Sequence, residues 1–178
     1  MQMLDACGRK IDYLRISITD RCNLRCVYCM PENGVSSISH DSLLRYEEIV
    51  RLVRLMQPLG VQKVRITGGE PMARRGCLEL VQNLHEMGGL SRIAMTTNAL
   101  LLRGRMQEAR DKGLTSINIS LDTLDPVCYR QMTRLGNVTP VLDAIDEALT
   151  CGLSVKVNAV PVRGMNENDL VSVAALAQ

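Results

Sequence analysis

Neither phenylalanine nor tryptophan occurs in the 178-residue chain, and four tyrosines are its largest aromatic side chains. A core must therefore be assembled from Leu, Ile, Val, Ala and Met, with the ten methionines filling gaps in an aromatic-poor interior. No apolar run approaches the roughly 20 residues that a membrane-spanning helix needs. The formal charge is only +2, too small for a nucleic-acid-binding field, so any basic site must be local. The opening residues, Met1-Gln2-Met3-Leu4-Asp5-Ala6-Cys7, carry neither the basic nor the apolar region of a signal peptide, and the cytoplasm is the expected compartment. Low-complexity tracts and linkers are missing too. With 46% hydrophobic and 22% charged residues, the chain suits one domain over residues 1–178.

Cysteine, by contrast, is abundant. Seven cysteines without a secretion signal point to a reducing compartment and to metal or redox chemistry. Cys22, Cys26 and Cys29 form a C-x3-C-x2-C loop directly after a strand-like run at 14–19. Tight spacing disfavours a disulfide framework, and a zinc knuckle would need a fourth ligand, whereas His40 and His85 lie well downstream. Iron–sulfur clusters normally take four thiolates, so three leave one metal position open. In a four-iron cluster, that iron could bind and reduce a small molecule.

Strand and helix patterns alternate from residue 14 onward, which implies parallel β/α units. The spacing predicts strands at 14–19, 63–67, 92–97, 115–121 and 154–159. Helices are expected near 46–57, 74–87, 101–112 and 138–151, with a last one starting near 167 and running into Ala174-Ala175-Leu176-Ala177-Gln178. Pro58 should end the first helix, and Gly88-Gly89 and Gly113 should end the next two. A parallel strand covered on both faces normally reads as one apolar run, yet every strand here alternates. Ile16 and Ile18, Val64 and Ile66, Ile93 and Met95, Ile117 and Ile119, and Val155 and Val157 share apolar faces. Arg15, Arg65, Thr96, Asn118, Ser120 and Lys156 fall on the opposite, polar faces. A closed eight-unit barrel fills its interior with bulky apolar side chains, which this pattern does not supply. The phase predicts a wider or incomplete barrel with a polar lumen, where Arg15, Arg65 and Lys156 would meet an anionic ligand such as a phosphate group. Gly68-Gly69-Glu70-Pro71 follows the second strand at its carboxyl end, where two glycines let backbone approach a ligand and Glu70 adds a carboxylate.

The cysteine loop, with Tyr28 just before its third cysteine, and the Gly-Gly-Glu-Pro turn together resemble the radical S-adenosylmethionine (SAM) enzymes. The likeness is closer still to the GTP 3′,8-cyclase family of molybdenum cofactor biosynthesis. It runs through Gly8-Arg9-Lys10-Ile11, the stretch from Tyr13 to Cys26, Tyr28-Cys29-Met30-Pro31, Val64 to Pro71, Thr96-Thr97-Asn98, Ile117 to Asp122 and Val155-Lys156-Val157-Asn158. The resemblance implies an α/β fold, a partial and open TIM-like (β/α) barrel of the radical SAM type. An eight-unit barrel takes about 250 residues, so this chain supplies about five units. It further implies a 4Fe-4S cluster on Cys22, Cys26 and Cys29, and S-adenosyl-L-methionine bound by Tyr28, Gly69 and Ser120. GTP would be the substrate, held by Arg15, Arg65, Thr96 and Lys156. Reductive cleavage of SAM to a 5′-deoxyadenosyl radical would start GTP cyclisation, with an external electron donor and neither nucleic acid nor membrane as partner. A homodimer is compatible with the sequence.

Arg45 and Ala99 depart from the family pattern, which has a small capping residue and a glycine at those positions. Cys7, Cys77, Cys128 and Cys151 do not reproduce the spacing of the family's second cluster and read as scattered structural thiols. The chain is therefore expected to be an N-terminal portion that binds SAM without completing cyclisation. Two rivals remain open: another radical SAM enzyme that modifies a peptide or cofactor, and a non-catalytic iron–sulfur-binding fragment.

Overall fold

A computed structural model describes residues 3–36 and 38–176. Met1, Gln2, Ala177 and Gln178, parts of the opening and closing runs noted above, lie outside the described residues. One parallel sheet runs in the order β1-β2-β3-β4-β5. Its strands are Tyr13–Ser17 (β1), Lys63–Thr67 (β2), Arg92–Thr97 (β3), Ser116–Ser120 (β4) and Ser154–Asn158 (β5). The helices are Tyr46–Met56 (α1), Cys77–Glu86 (α2), Met106–Asp111 (α3), Pro126–Thr133 (α4), Thr139–Thr150 (α5) and Leu170–Ala175 (α6). None of them is long and apolar enough to cross a membrane.

Alternation along the strands decides where the helices go. Ile16, Val64, Ile66, Ile93, Met95, Ile117 and Ile119 are buried in one cluster with Ile49 and Val53 of α1, Leu80 and Leu84 of α2, Met106 of α3 and Val141 and Ala148 of α5. Parallel crossovers are right-handed, and with every strand beside its sequence neighbour the helices stack on the apolar side. The sheet is thus the wall of an open, partial TIM-like barrel, helices outside and the polar faces inside. Met95 and Met106 are fully buried, in keeping with methionine as core filler. β5 is an edge strand, so Val155 and Val157 are only half-buried.

Two expectations need correction. The apolar stretch from Leu101 does not start a helix: residues before Met106 form turns around Gly104, and Glu147 of α5 closes α3 by accepting from Gly104 N and Met106 N at 2.6 and 2.9 Å. A further helix, α4, was not expected at all. Elsewhere α1 ends at Met56 before a short turn containing Pro58, and Gly88 and Gly113 follow α2 and α3 with φ of 73° and 100°. Arg45 offers α1 no side-chain cap, but Glu48 accepts its backbone N–H at 2.7 Å and closes the helix start from within.

Ala99 adopts φ 65° in the fully buried core, so the alanine takes up the left-handed conformation that favours glycine. Glycine there would relieve about 1–2 kcal/mol of strain, but would cost about 0.5–1 kcal/mol of chain entropy and about 0.8 kcal/mol of lost methyl burial. Ala99→Gly is therefore expected to keep the urea midpoint within about 1 kcal/mol of the parent. Ala99→Val, β-branched at positive φ in a filled core, should lose about 3 kcal/mol in the same measurement.

Candidate functional site

Strand register sorts the inner-face residues into layers. Arg15 lies opposite Arg65, and Arg65 opposite Ala94. One step nearer the carboxyl ends, Thr96, Asn118 and Lys156 align across β3, β4 and β5. Ser120, beside Asn158, sits at the rim. The substrate residues expected from the sequence thus share one face and two adjacent layers. Arg15 and Lys156 are exposed on this open wall, while Arg65 is half-buried with its guanidinium 5.6 Å from the centre of the Tyr13 ring. No ion pair among the described residues involves these three cations. Arg65 Nε, Thr96 Oγ1 and Ser116 Oγ are buried without a hydrogen-bond partner. Neighbouring like charges and orphaned donors are both unfavourable unless a ligand meets them. An anion with several acceptor oxygens would relieve both.

The cysteine loop leaves the carboxyl end of β1. Cys29 N and Met30 N donate to Cys26 O at 3.0 and 2.9 Å, a turn that brings Cys29 back beside Cys26. All three thiols are free, Cys22 and Cys26 half-buried and Cys29 exposed. Burial pushes the Cys22 thiol up, with Glu70 and Cys29 adding to it. Burial pushes the Cys26 thiol up to about 11, followed by the charges of Asp122, Cys22 and Cys29. The three sulfurs therefore share one electrostatic neighbourhood. Among the described residues no three His, Cys, Asp or Glu side chains converge on a single metal ion. A cluster of several irons spreads its ligands more widely. A cleft of about 300 Å³ opens beside Cys22, lined by Asp20, Arg21, Arg25, Met30 and Val35.

The Gly-Gly-Glu-Pro turn packs against the base of this loop. Gly69 N donates to Thr19 O at 2.8 Å and Glu70 N to Arg21 O at 2.7 Å. A Cβ on Gly68 would stand 2.5 Å from Thr19 O, and one on Gly69 2.4 Å from Arg21 O. Both glycines are required for this approach of two backbones, whatever else Gly69 contacts. Glu70 does not present its carboxylate to a ligand as the sequence suggested. It is fully buried and accepts from Thr97 Oγ1 at 2.7 Å, Asn98 N at 2.8 Å and Met72 N at 3.1 Å. Burial pushes its carboxyl up while those three donors pull it back. Its role is to tie the turn to the end of β3.

Tyr28 is steadied from the opposite side. Its hydroxyl donates to Asp122 Oδ2 at 2.7 Å, and Val160 N donates to Asp122 Oδ1 at 2.9 Å. Burial, then the Asp122 hydrogen bond, pushes the phenol up, so it stays a protonated donor. Asn166, fully buried, donates to Asp122 O and Val160 O at 2.6 and 3.0 Å and accepts from Val162 N. No local signal marks Asn166, because its partners Asp122 and Val160 lie on two other segments. Asp20, Asn23 and Arg25 serve the loop: Asp20 accepts from Ile38 N, Asn23 from Asn98 Nδ2, and Arg25 donates to Cys22 O and Leu24 O.

Comparison with known proteins identifies the family and the fold. A family model described as the Radical SAM superfamily matches residues 16–177. Proteins named GTP 3′,8-cyclase from Petrotoga mobilis and Pelotomaculum thermopropionicum are each 49% identical, across 94% and 98% of this chain. The chain spans about half the length of these curated relatives, 52% and 54%. Among solved structures, Streptococcus suis SuiB bound to S-adenosylmethionine matches with a TM-score of 0.78 at 21% identity, over 93% of this chain and 37% of its own. Methylornithine synthase (PylB) matches with a TM-score of 0.69 at 23% identity, over 91% and 47%. These structures share the fold. With the family model reaching from β1 through α6 and three free thiols at the carboxyl end of β1, the chain belongs to the radical SAM superfamily.

Proposed function

We propose that this chain is the radical-initiating core of a GTP 3′,8-cyclase. The observation that carries the reading is the cationic inner face, on which Arg65 Nε and Thr96 Oγ1 are buried without partners beside the unpaired Arg15 and Lys156. Peptide- and cofactor-modifying enzymes use the same fold, but a wall of three cations favours a polyanion. Arg15, Arg65 and Lys156 would bind the triphosphate of GTP, and the Thr96 hydroxyl would add a hydrogen bond that fixes its orientation.

Superfamily membership brings a 4Fe-4S cluster and S-adenosyl-L-methionine as cofactors. The donor set fits: Cys22, Cys26 and Cys29 would hold the cluster, one thiolate short of full protein ligation, beside the cleft lined by Asp20 and Arg21. Tyr28, Gly69 and Ser120 would hold SAM at the same end of the sheet. When bound and reduced, the cluster supplies the electron that cleaves SAM and opens radical chemistry on GTP. The protein contributes position. Asp122 and Asn166 fix Tyr28, and Glu70 locks the Gly-Gly turn against the loop. The electron comes from an external donor. Seven free thiols favour a reducing compartment, with the cytoplasm as the proposed location, and the open β5 edge is compatible with a homodimer.

The test is anaerobic incubation of the iron-loaded chain with SAM and a chemical reductant. GTP should stimulate release of methionine, whereas guanosine, which lacks phosphates, and an unrelated peptide should not. Methionine release indifferent to GTP would overturn the substrate assignment, and no release at all would remove the enzyme reading.

A further inference from the structure

The carboxyl end of α4 and the cysteine loop are sewn together. Met132 O accepts from Val27 N at 2.8 Å and Thr133 O from Arg25 N at 3.1 Å. These are last-turn carbonyls that a helix cannot satisfy itself, so the loop acts as the cap of α4. In return, Arg134 sends Nη1 to Arg25 O at 2.7 Å and Met30 O at 3.0 Å, carbonyls on either side of Cys26 and Cys29. Arg134 does this from φ 62° and ψ −35°, outside the comfortable region for a residue with a side chain. Glycine would hold the backbone there without strain. It could not reach the loop.

We propose that Arg134 is a positioning residue for the iron–sulfur site, its guanidinium bracketing the Cys26–Cys29 segment so that both thiols face the cluster in one fixed arrangement. It rests on the cluster assignment above. Backbone strain at Arg134 and the reach of its side chain are two halves of one device: the unusual φ aims the side chain back across the helix end. Both bonds leave the one nitrogen Nη1, so lysine supplies enough donors, but its ammonium stands one bond nearer the backbone and lacks the fixed planar aim of a guanidinium. The clamp acts on carbonyls and leaves the thiols free for iron.

The test separates positioning from simple stability. Arg134→Gly removes the guanidinium and relieves the backbone, so it should melt at or above the parent temperature. After anaerobic loading it should lose iron to a chelator about tenfold faster, the scale on which supports of metal ligands act. The electron paramagnetic resonance line shape of its reduced cluster should broaden. Arg134→Lys should fall between the two in iron loss, and hydrogen exchange at the Arg25 and Val27 amides of the iron-free lysine variant should be faster than in the parent. Parent-like iron retention and line shape in both variants would overturn the proposal. If the glycine variant fails to fold, a lysine variant with parent-like exchange and iron retention overturns it equally. A parent chain that takes up no iron would instead bring down the cluster assignment itself.

Discussion

Cys26→Ala is expected to abolish iron–sulfur loading, from about four irons per chain to essentially none, as measured by iron and sulfide analysis after anaerobic reconstitution. Three thiolates already leave the cluster one protein ligand short, so loss of another leaves two, too few to retain it. Cys22→Ala and Cys29→Ala should behave alike. Cys7→Ala and Cys128→Ala, which remove thiols of the amino-terminal segment and of α4 respectively, should load as the parent does. Full loading of Cys26→Ala, or an empty Cys7→Ala chain, would show that the cluster is elsewhere. The loading also has a predictable pH dependence. Cys26, pushed up to about 11 by burial, holds its proton in neutral solution, and iron must displace that proton. Raising the pH therefore favours uptake, and acidification opposes it.

Arg65→Ala should weaken GTP binding by roughly 30- to 150-fold in Kd, the equivalent of about 2–3 kcal/mol for loss of one desolvated charged partner. Titration calorimetry on the iron-loaded chain measures it. Guanosine affinity should change far less, because the lost contact is to phosphate. The same substitution makes an opposite prediction about stability. Arg65 Nε is buried with no partner and Arg15 stands opposite as a like charge, so Arg65→Ala should leave the melting temperature unchanged or raise it. A residue kept for structure would lower it. Lost affinity at undiminished stability is the signature of a group held ready for a ligand. Parent-like GTP affinity in Arg65→Ala would remove the cationic wall from the substrate site.

The barrel wall was readable because burial imposes a period of two on each strand, and the polar phase of Arg15, Arg65, Thr96 and Lys156 repeated across separate strands. The cysteine loop was readable because its spacing is local. What escaped depends on distant partners. The buried Glu70 owes its three hydrogen bonds partly to Thr97 and Asn98, more than two dozen residues away, so its sequence neighbours described only a turn. Leu101 and Leu102 looked helical, yet α3 starts later because a carboxylate from α5 closes it. For α4 a local cue did exist: Asp125 before Pro126 is a helix-start pair, and its side chain accepts from Cys128 N. Eight residues with Tyr129, Met132 and Thr133 as the only buried positions were too short for an apolar stripe to stand out.

The threading of α4 back onto the start of the chain bears on the order of folding. Sheet pairing joins only consecutive strands, so each β/α unit can dock on its predecessor as synthesis proceeds. The segment that carries Cys26 must wait for Arg134, 109 residues from Arg25, before it is fastened. Closure of so long a loop comes late. A nascent chain would thus expose its cysteines, unfastened, until α4 has emerged and docked, and metal delivery belongs after that step rather than before it.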